Sequence, residues 1–219
     1  MLIPFAGKNI PSSLSLSERP GMRVQSTRSA AQLVVGVFAL LVTSACSNSL
    51  FKVKPVSEMP PMPASAASMN VGTVTFRASP LLTDEQTQEL FESNLQLAGL
   101  LPVRLQIVHN GGEAIELKKL RVRLHDAAGT EWKLISAKKA VSRIMDANGI
   151  RLYNPNAKKT FEKEFRAYEF DLKTPFSNSE KRRQGLIVFQ SPHKEAVSSP
   201  KGLVLSIEGL AQPVSLNLN

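Results

Sequence analysis

The 219-residue chain holds one cysteine, one tryptophan and three histidines. A single thiol, Cys46, excludes an intramolecular disulfide and any multi-cysteine metal site. His109, His125 and His193 have no second histidine or cysteine at ligand spacing, and no His-Glu-x-x-His string occurs. No metal or cofactor is therefore expected. The chain also lacks a Gly-x-Ser-x-Gly elbow, a phosphate-cradling glycine loop and a dinucleotide fingerprint, which argues against the commonest hydrolase and nucleotide chemistries. No repeat recurs at solenoid or propeller periods. Long apolar runs are missing too. The longest, Leu33 to Val42, is apolar apart from Gly36 and reaches only half of the roughly 20 residues that a bilayer-spanning helix needs.

That short run stands in a telling context. Arg23 and Arg28 precede it, no charge occurs from Ser29 to Phe51, and the small residues Thr43-Ser44-Ala45 follow it. A positive flank, a short apolar stretch and a small-residue site make the three-part pattern of a secretory signal. A core helix is the bland alternative. Residues 1–45 are expected to be a signal peptide, with Met22 as an alternative start that would shorten it to ordinary length. The string Val42-Thr43-Ser44-Ala45-Cys46 resembles the lipobox of bacterial lipoprotein precursors. The resemblance implies lipid on Cys46, removal of the preceding peptide and membrane attachment. Ser47 stands where an aspartate would mark inner-membrane retention in that family, so the resemblance implies an outer-membrane lipoprotein facing the periplasm.

Residues 46–69 follow as the lipidated cysteine and a tether, rich in proline, serine and alanine, with no sustained period; such composition favours an extended, solvated spacer. From Asn70 the pattern changes, and 70–219 is expected to be one domain. Val71 to Phe76 reads as a first strand, and Thr83 caps a helix through Phe91. Val103, Leu105 and Ile107 alternate with Arg104 and Gln106 up to the Asn110-Gly111-Gly112 turn, which predicts a strand with one core face and one wet face. Ile115 and Leu117 resume the pattern. Leu120, Val122 and Leu124 then alternate with Lys119, Arg121, Arg123 and His125, and Trp132 and Leu134 follow the Asp126–Gly129 turn.

The period lengthens beyond Ser136. Ala140, Val141, Ile144 and Met145 fall three to four apart, and a second helix begins at Asn154-Pro155 with Phe161, Phe165 and Tyr168 along its apolar side. Strand character returns at Gly185–Phe189, Gly202–Ile207 and Val214–Leu218. The expected class is mainly β, a β-sandwich with a helical insertion at about 136–183. The runs LPVRLQIVHNGG, LRVRLHDAAGTEW and GLIVFQSP resemble immunoglobulin-like sandwich domains of bacterial lipoproteins and late-embryogenesis-abundant-type proteins. That resemblance implies an architecture and no catalytic residues.

Four of the 27 basic residues and one of the 18 acidic residues precede Cys46, leaving 23 against 17. Two groups of cations form the candidate partner surface. Lys119, Arg121 and Arg123 share one face by alternation, and Lys158, Lys159, Lys163 and Arg166 decorate the second helix. Together they would meet an anionic envelope polymer, headgroups or an envelope protein; a solvated sheet face with edge lysines is the plainer alternative. Nucleic acid is a poor candidate for a partner, given the expected export and the lack of an aromatic-basic motif. Tyr153, Phe161, Phe165, Tyr168 and Phe170 suit either a core or a partner groove. The other function class is a periplasmic enzyme or small-ligand carrier with its site between insertion and sandwich.

Overall fold

A computed structural model describes residues 49–177 and 179–219. The expected signal segment, the alternative start at Met22 and Cys46 lie outside these residues. Eight strands are described: β1 (Ala67–Val71), β2 (Val74–Pro80), β3 (Leu100–His109), β4 (Arg121–His125), β5 (Glu131–Ile135), β6 (Arg182–Gln190), β7 (Val204–Glu208) and β8 (Val214–Asn217). With them come the helices α1 (Asp84–Phe91), α2 (Ala137–Ala147) and α3 (Pro155–Arg166). The expected mainly-β class holds, and α2 and α3 are an insertion between β5 and β6.

The strands form one antiparallel sheet in the order β1-β2-β3-β6-β5-β4-β7-β8. In place of the two separate sheets of a sandwich, this sheet turns a corner at β5. Glu131 and Trp132 pair with His125 and Leu124 of β4, whereas Lys133, Leu134 and Ile135 pair with Gln190, Phe189 and Val188 of β6. A strand that passes from one partner to the next bends a sheet in this way. The curl brings β1 beside β8, so the sheet nearly closes into a barrel.

Two apolar cores result. The inner one gathers Phe76, Val103, Leu105, Ile107, Leu124, Trp132, Ile187, Phe189, Leu205 and Leu216 inside the curled sheet. The outer one places Leu100, Leu186 and Val188, from the opposite faces of β3 and β6, under Leu90, Phe91, Val141, Ile144, Phe161, Phe165 and Tyr168 of the helical layer. β3 and β6 are thus covered on both sides. The wet face expected of β3 is corrected accordingly: Arg104 and Gln106 are buried along with Val103 and Leu105.

The first strand ends sooner than the β-branched run suggested. Val71 pairs with Val74, and Gly72 at φ +57° supplies the left-handed residue of the turn between β1 and β2. Ile115 makes an isolated bridge with Phe176, and Leu117–Lys119 form a single 3-10 turn, so Lys119 precedes β4 and is not part of it. Thr83 caps α1 as expected, completing a capping box with Gln86. At α2 the side chain of Ser136 makes no cap. The N–H of Ala137 donates instead to the Glu169 carboxylate at 2.5 Å. Phe161, Phe165 and Tyr168 are buried, so these aromatics are core.

Residues 49–66, expected as a solvated spacer, lie along the body as a strap. Leu50, Phe51, Val53 and Val56 pack on the outer core, and the Phe51 ring sits 5.0 Å from that of Phe161. Lys54 donates its N–H to the Leu90 carbonyl at 2.9 Å and accepts from the Tyr168 hydroxyl at 2.8 Å. Met59 is buried, and full burial of such a side chain contributes about 1.5–3 kcal/mol. The apolar residues scattered among the prolines drive this docking. Extended proline-rich backbone leaves its carbonyls free, and the arginines of β2 and β3 take them.

Candidate functional site

Three regions bear on function: the cations, the strap groove and the clefts. Arg121 is exposed and Arg123 half-buried on the outer face of β4, with Lys119 exposed just before them. Acids accompany this group. Arg121 stands opposite Glu208 in the β4–β7 register, Arg123 lies 4.0 Å from Glu131, and Lys118 lies 3.3 Å from Glu116. Such surface pairs contribute little stability but cancel local field.

The second group belongs to a different layer. On α3, Ala157, Phe161 and Phe165 face the outer core, and Lys159, Lys163 and Arg166 are exposed on the opposite side. Arg166 pairs with Glu162 at 2.6 Å, and the Lys158 ammonium lies 5.4 Å from the Tyr153 ring centroid. Lys159 and Lys163, one turn apart, have no ion pair among the described residues. Like charges at that spacing repel.

Sequence reasoning missed Arg104. Only 6% of the residue is exposed, and its guanidinium donates to the carbonyls of Pro60 and, at 3.2 Å, Pro61. Arg77 donates to the Pro63 carbonyl at 2.9 Å. Burial holds the Arg104 pKa below its ordinary value, because the charge has lost water. The alternation around Arg104 signals a solvent-facing residue, and nothing local announces the strap that covers it.

A cleft of about 560 Å³ opens where the helical insertion meets the sheet. Leu134, Phe170, Leu172 and Ile187 give it an apolar floor, and Arg166, Glu169, Asp171 and Lys173 ring it. Leu134 is 42% exposed there because β5 ends at Ile135, leaving the lower half of β6 without β5 as neighbour. The segment 168–170 fills part of that gap, with Leu186 donating to the Tyr168 carbonyl and accepting from the Phe170 N–H. The approach needs Gly185: a Cβ there would lie 2.6 Å from Phe170 Cα. Both carboxylates at the rim serve the backbone. Glu169 holds Ala137, and Asp171 accepts from the N–H groups of Lys173 and Thr174, with its pKa lowered chiefly by the Thr174 side chain and the Lys173 N–H.

A second cleft, about 430 Å³, is lined by Asp126, Trp132, Ser191, His193 and Lys201. Two of its polar side chains are likewise engaged: Ser191 donates to the Glu195 carbonyl, and Asp126 accepts from Ala128, Thr130 and the Trp132 indole. His109 is a satisfied core imidazole. Its Nδ1 accepts from the Gly111 N–H, so Nε2 carries the proton given to the Glu113 carbonyl at 3.0 Å. Among the described residues no group of three histidine, cysteine, aspartate or glutamate side chains is placed to hold a metal ion. No helix among them is long and apolar enough to cross a membrane. Compared with protein-family models, curated proteins and solved structures, the chain matches none.

Proposed function

We propose that the chain is an exported lipoprotein, attached to the outer membrane through an acylated Cys46, whose folded body binds an anionic component of the envelope without catalysing a reaction. One observation carries the reading: a basic flank, a short apolar run and three small residues end on the only thiol of the sequence. Acyl chains contribute about 0.8 kcal/mol per buried methylene, and two or more anchor a protein stably. The cations of α3 support the binding role, since their charge is only partly met by acids of the same chain. In this reading the two halves of the bent sheet are the layers of an immunoglobulin-like sandwich joined at the β5 corner. Cys46→Ser in the full chain tests the anchor. The expected result is release from the membrane fraction or accumulation of the unprocessed precursor; unchanged fractionation with an unchanged mass would refute it.

The cleft between insertion and sheet favours a second reading, a carrier of a small apolar ligand. Its apolar floor and committed carboxylates suit retention of a ligand better than acid–base chemistry.

A further inference from the structure

The loop between α2 and α3 carries an unusual pair of side chains. Leu152 is 96% exposed and Tyr153 is 39% exposed. A leucine left almost wholly in water forfeits the transfer free energy of its side chain, and an apolar medium outside the chain would recover it. The loop is braced at both ends. Ile150 packs on the outer core and donates its N–H to Met145 at 2.9 Å, while the Asn154 side chain caps α3 through the Asn156 N–H at 2.9 Å.

The surroundings of this tip are cationic. Arg151 is exposed beside Leu152, Lys158 lies over the Tyr153 ring, and Lys159 and Lys163 continue along the solvent side of α3. A leucine and a tyrosine flanked by an arginine and a lysine match a bilayer interface, where the apolar groups enter the acyl boundary and the cations meet phosphate. The length of the intervening chain permits the same arrangement. Phe51 packs against Phe161 of α3 and is five backbone steps from Cys46, a reach of at most about 18 Å. Leu152 lies within about 20 Å of the same contact, counting the helical rise from Phe161 to Pro155 and three extended residues beyond it. Acyl chains on Cys46 and the Leu152 tip can therefore enter one membrane surface together.

We infer that Leu152 and Tyr153 seat the body on the bilayer that holds its anchor, with Arg151, Lys158, Lys159 and Lys163 on anionic phospholipid headgroups. This rests on the reading of Cys46 as acylated, and it gives the anionic partner of that reading an identity: the membrane's own headgroups. The β4 cations, each with an acid nearby, take no part in this contact.

The test uses the full, processed chain carrying Leu152→Cys, labelled with an environment-sensitive fluorophore while Cys46 is blocked by its acyl group. A second chain carries the label at Ser215→Cys on the exposed side of β8. Both are reconstituted into vesicles of phosphatidylcholine alone or mixed with phosphatidylglycerol, with a spin-labelled lipid as quencher. The expected result is a blue-shifted, quenched signal at 152 and not at 215, stronger in the anionic vesicles. Lys159→Gln with Lys163→Gln should lower the seated-to-free ratio in the anionic vesicles about fivefold per lysine. Membrane-bound protein whose two labels are equally unquenched, or whose quenching at 152 ignores lipid charge, would overturn the inference alone. Soluble protein without acyl mass would overturn the anchor and the inference together.

Discussion

Arg183 is a clamp whose removal has a calculable effect. Its side chain is 11% exposed and points inward on β6, at the same parity as Ile187 and Phe189. The guanidinium gives Nε and Nη2 to the Glu180 carboxylate at 2.9 and 2.5 Å, and donates to the carbonyls of Asp171, Thr174 and Pro175 at 3.0, 2.7 and 3.1 Å. It also lies 5.3 Å from the centroid of buried Phe176, which closes the inner core beneath it. A hydrogen bond to a charged group nets about 1.5–3 kcal/mol, but the three carbonyls lie where water can replace the arginine. Counting the carboxylate fork in full and the carbonyls lightly gives a loss of about 3 kcal/mol for Arg183→Met. For a body of this size that lowers Tm by about 6–12 °C. Urea denaturation and calorimetry read the global effect, and hydrogen exchange in 170–176 reads the local one. Arg183→Lys keeps the charge but loses the planar fork, so it should recover little. A lysine variant as stable as the parent would refute the argument, because charge alone would then hold the segment.

Two further predictions concern acids that serve the backbone. Asp126 has its pKa lowered, first by the Thr130 N–H and in part by the Trp132 indole, so its contribution is present above the unfolded carboxyl range near about pH 4 and is lost as pH falls through the lower folded value. Asp126→Asn should be less stable at neutral pH, with the gap from the parent closing below about pH 4; a gap constant with pH in urea titrations would contradict this. Glu169→Ala should cost about 1 kcal/mol through the lost cap of α2, and Glu169→Gln, which keeps an acceptor, should cost less. Equal losses in the two variants would show that the cap is not what Glu169 supplies.

Period carried much of the architecture. The alternation of Val103, Leu105 and Ile107 and the three-to-four spacing of Val141, Ile144 and Met145 follow from how strands and helices expose one side, and both segments form as read. Alternation does not say whether a second layer lies beyond the polar side, and so Arg104 and Gln106 read as wet although the strap takes Arg104 and Gln106 is buried against Gln184. Arg183 was hidden by its run: among Lys181, Arg182 and Arg183 it looks like one more surface cation, and only its parity with Ile187 marks it as inward. The cations of β4 and α3 were legible as residues, whereas their allotment to different layers depends on the corner at β5. The exposure of Leu152 was not legible, since a leucine beside a helix start ordinarily packs inward.

The docked strap also governs how the body would respond to tension applied at its N-terminal side. Residues 50–63 would detach in series, first the Phe51 ring, next the Tyr168 hydroxyl from Lys54, then Arg104 and Arg77 from the proline carbonyls, before any strand is loaded. Peeling of this kind breaks one small group of bonds at a time and frees a length of chain that spans at most about 50 Å. The curled sheet is thereby cushioned, and a brief tug is absorbed in a fastening that can close again when the load is gone.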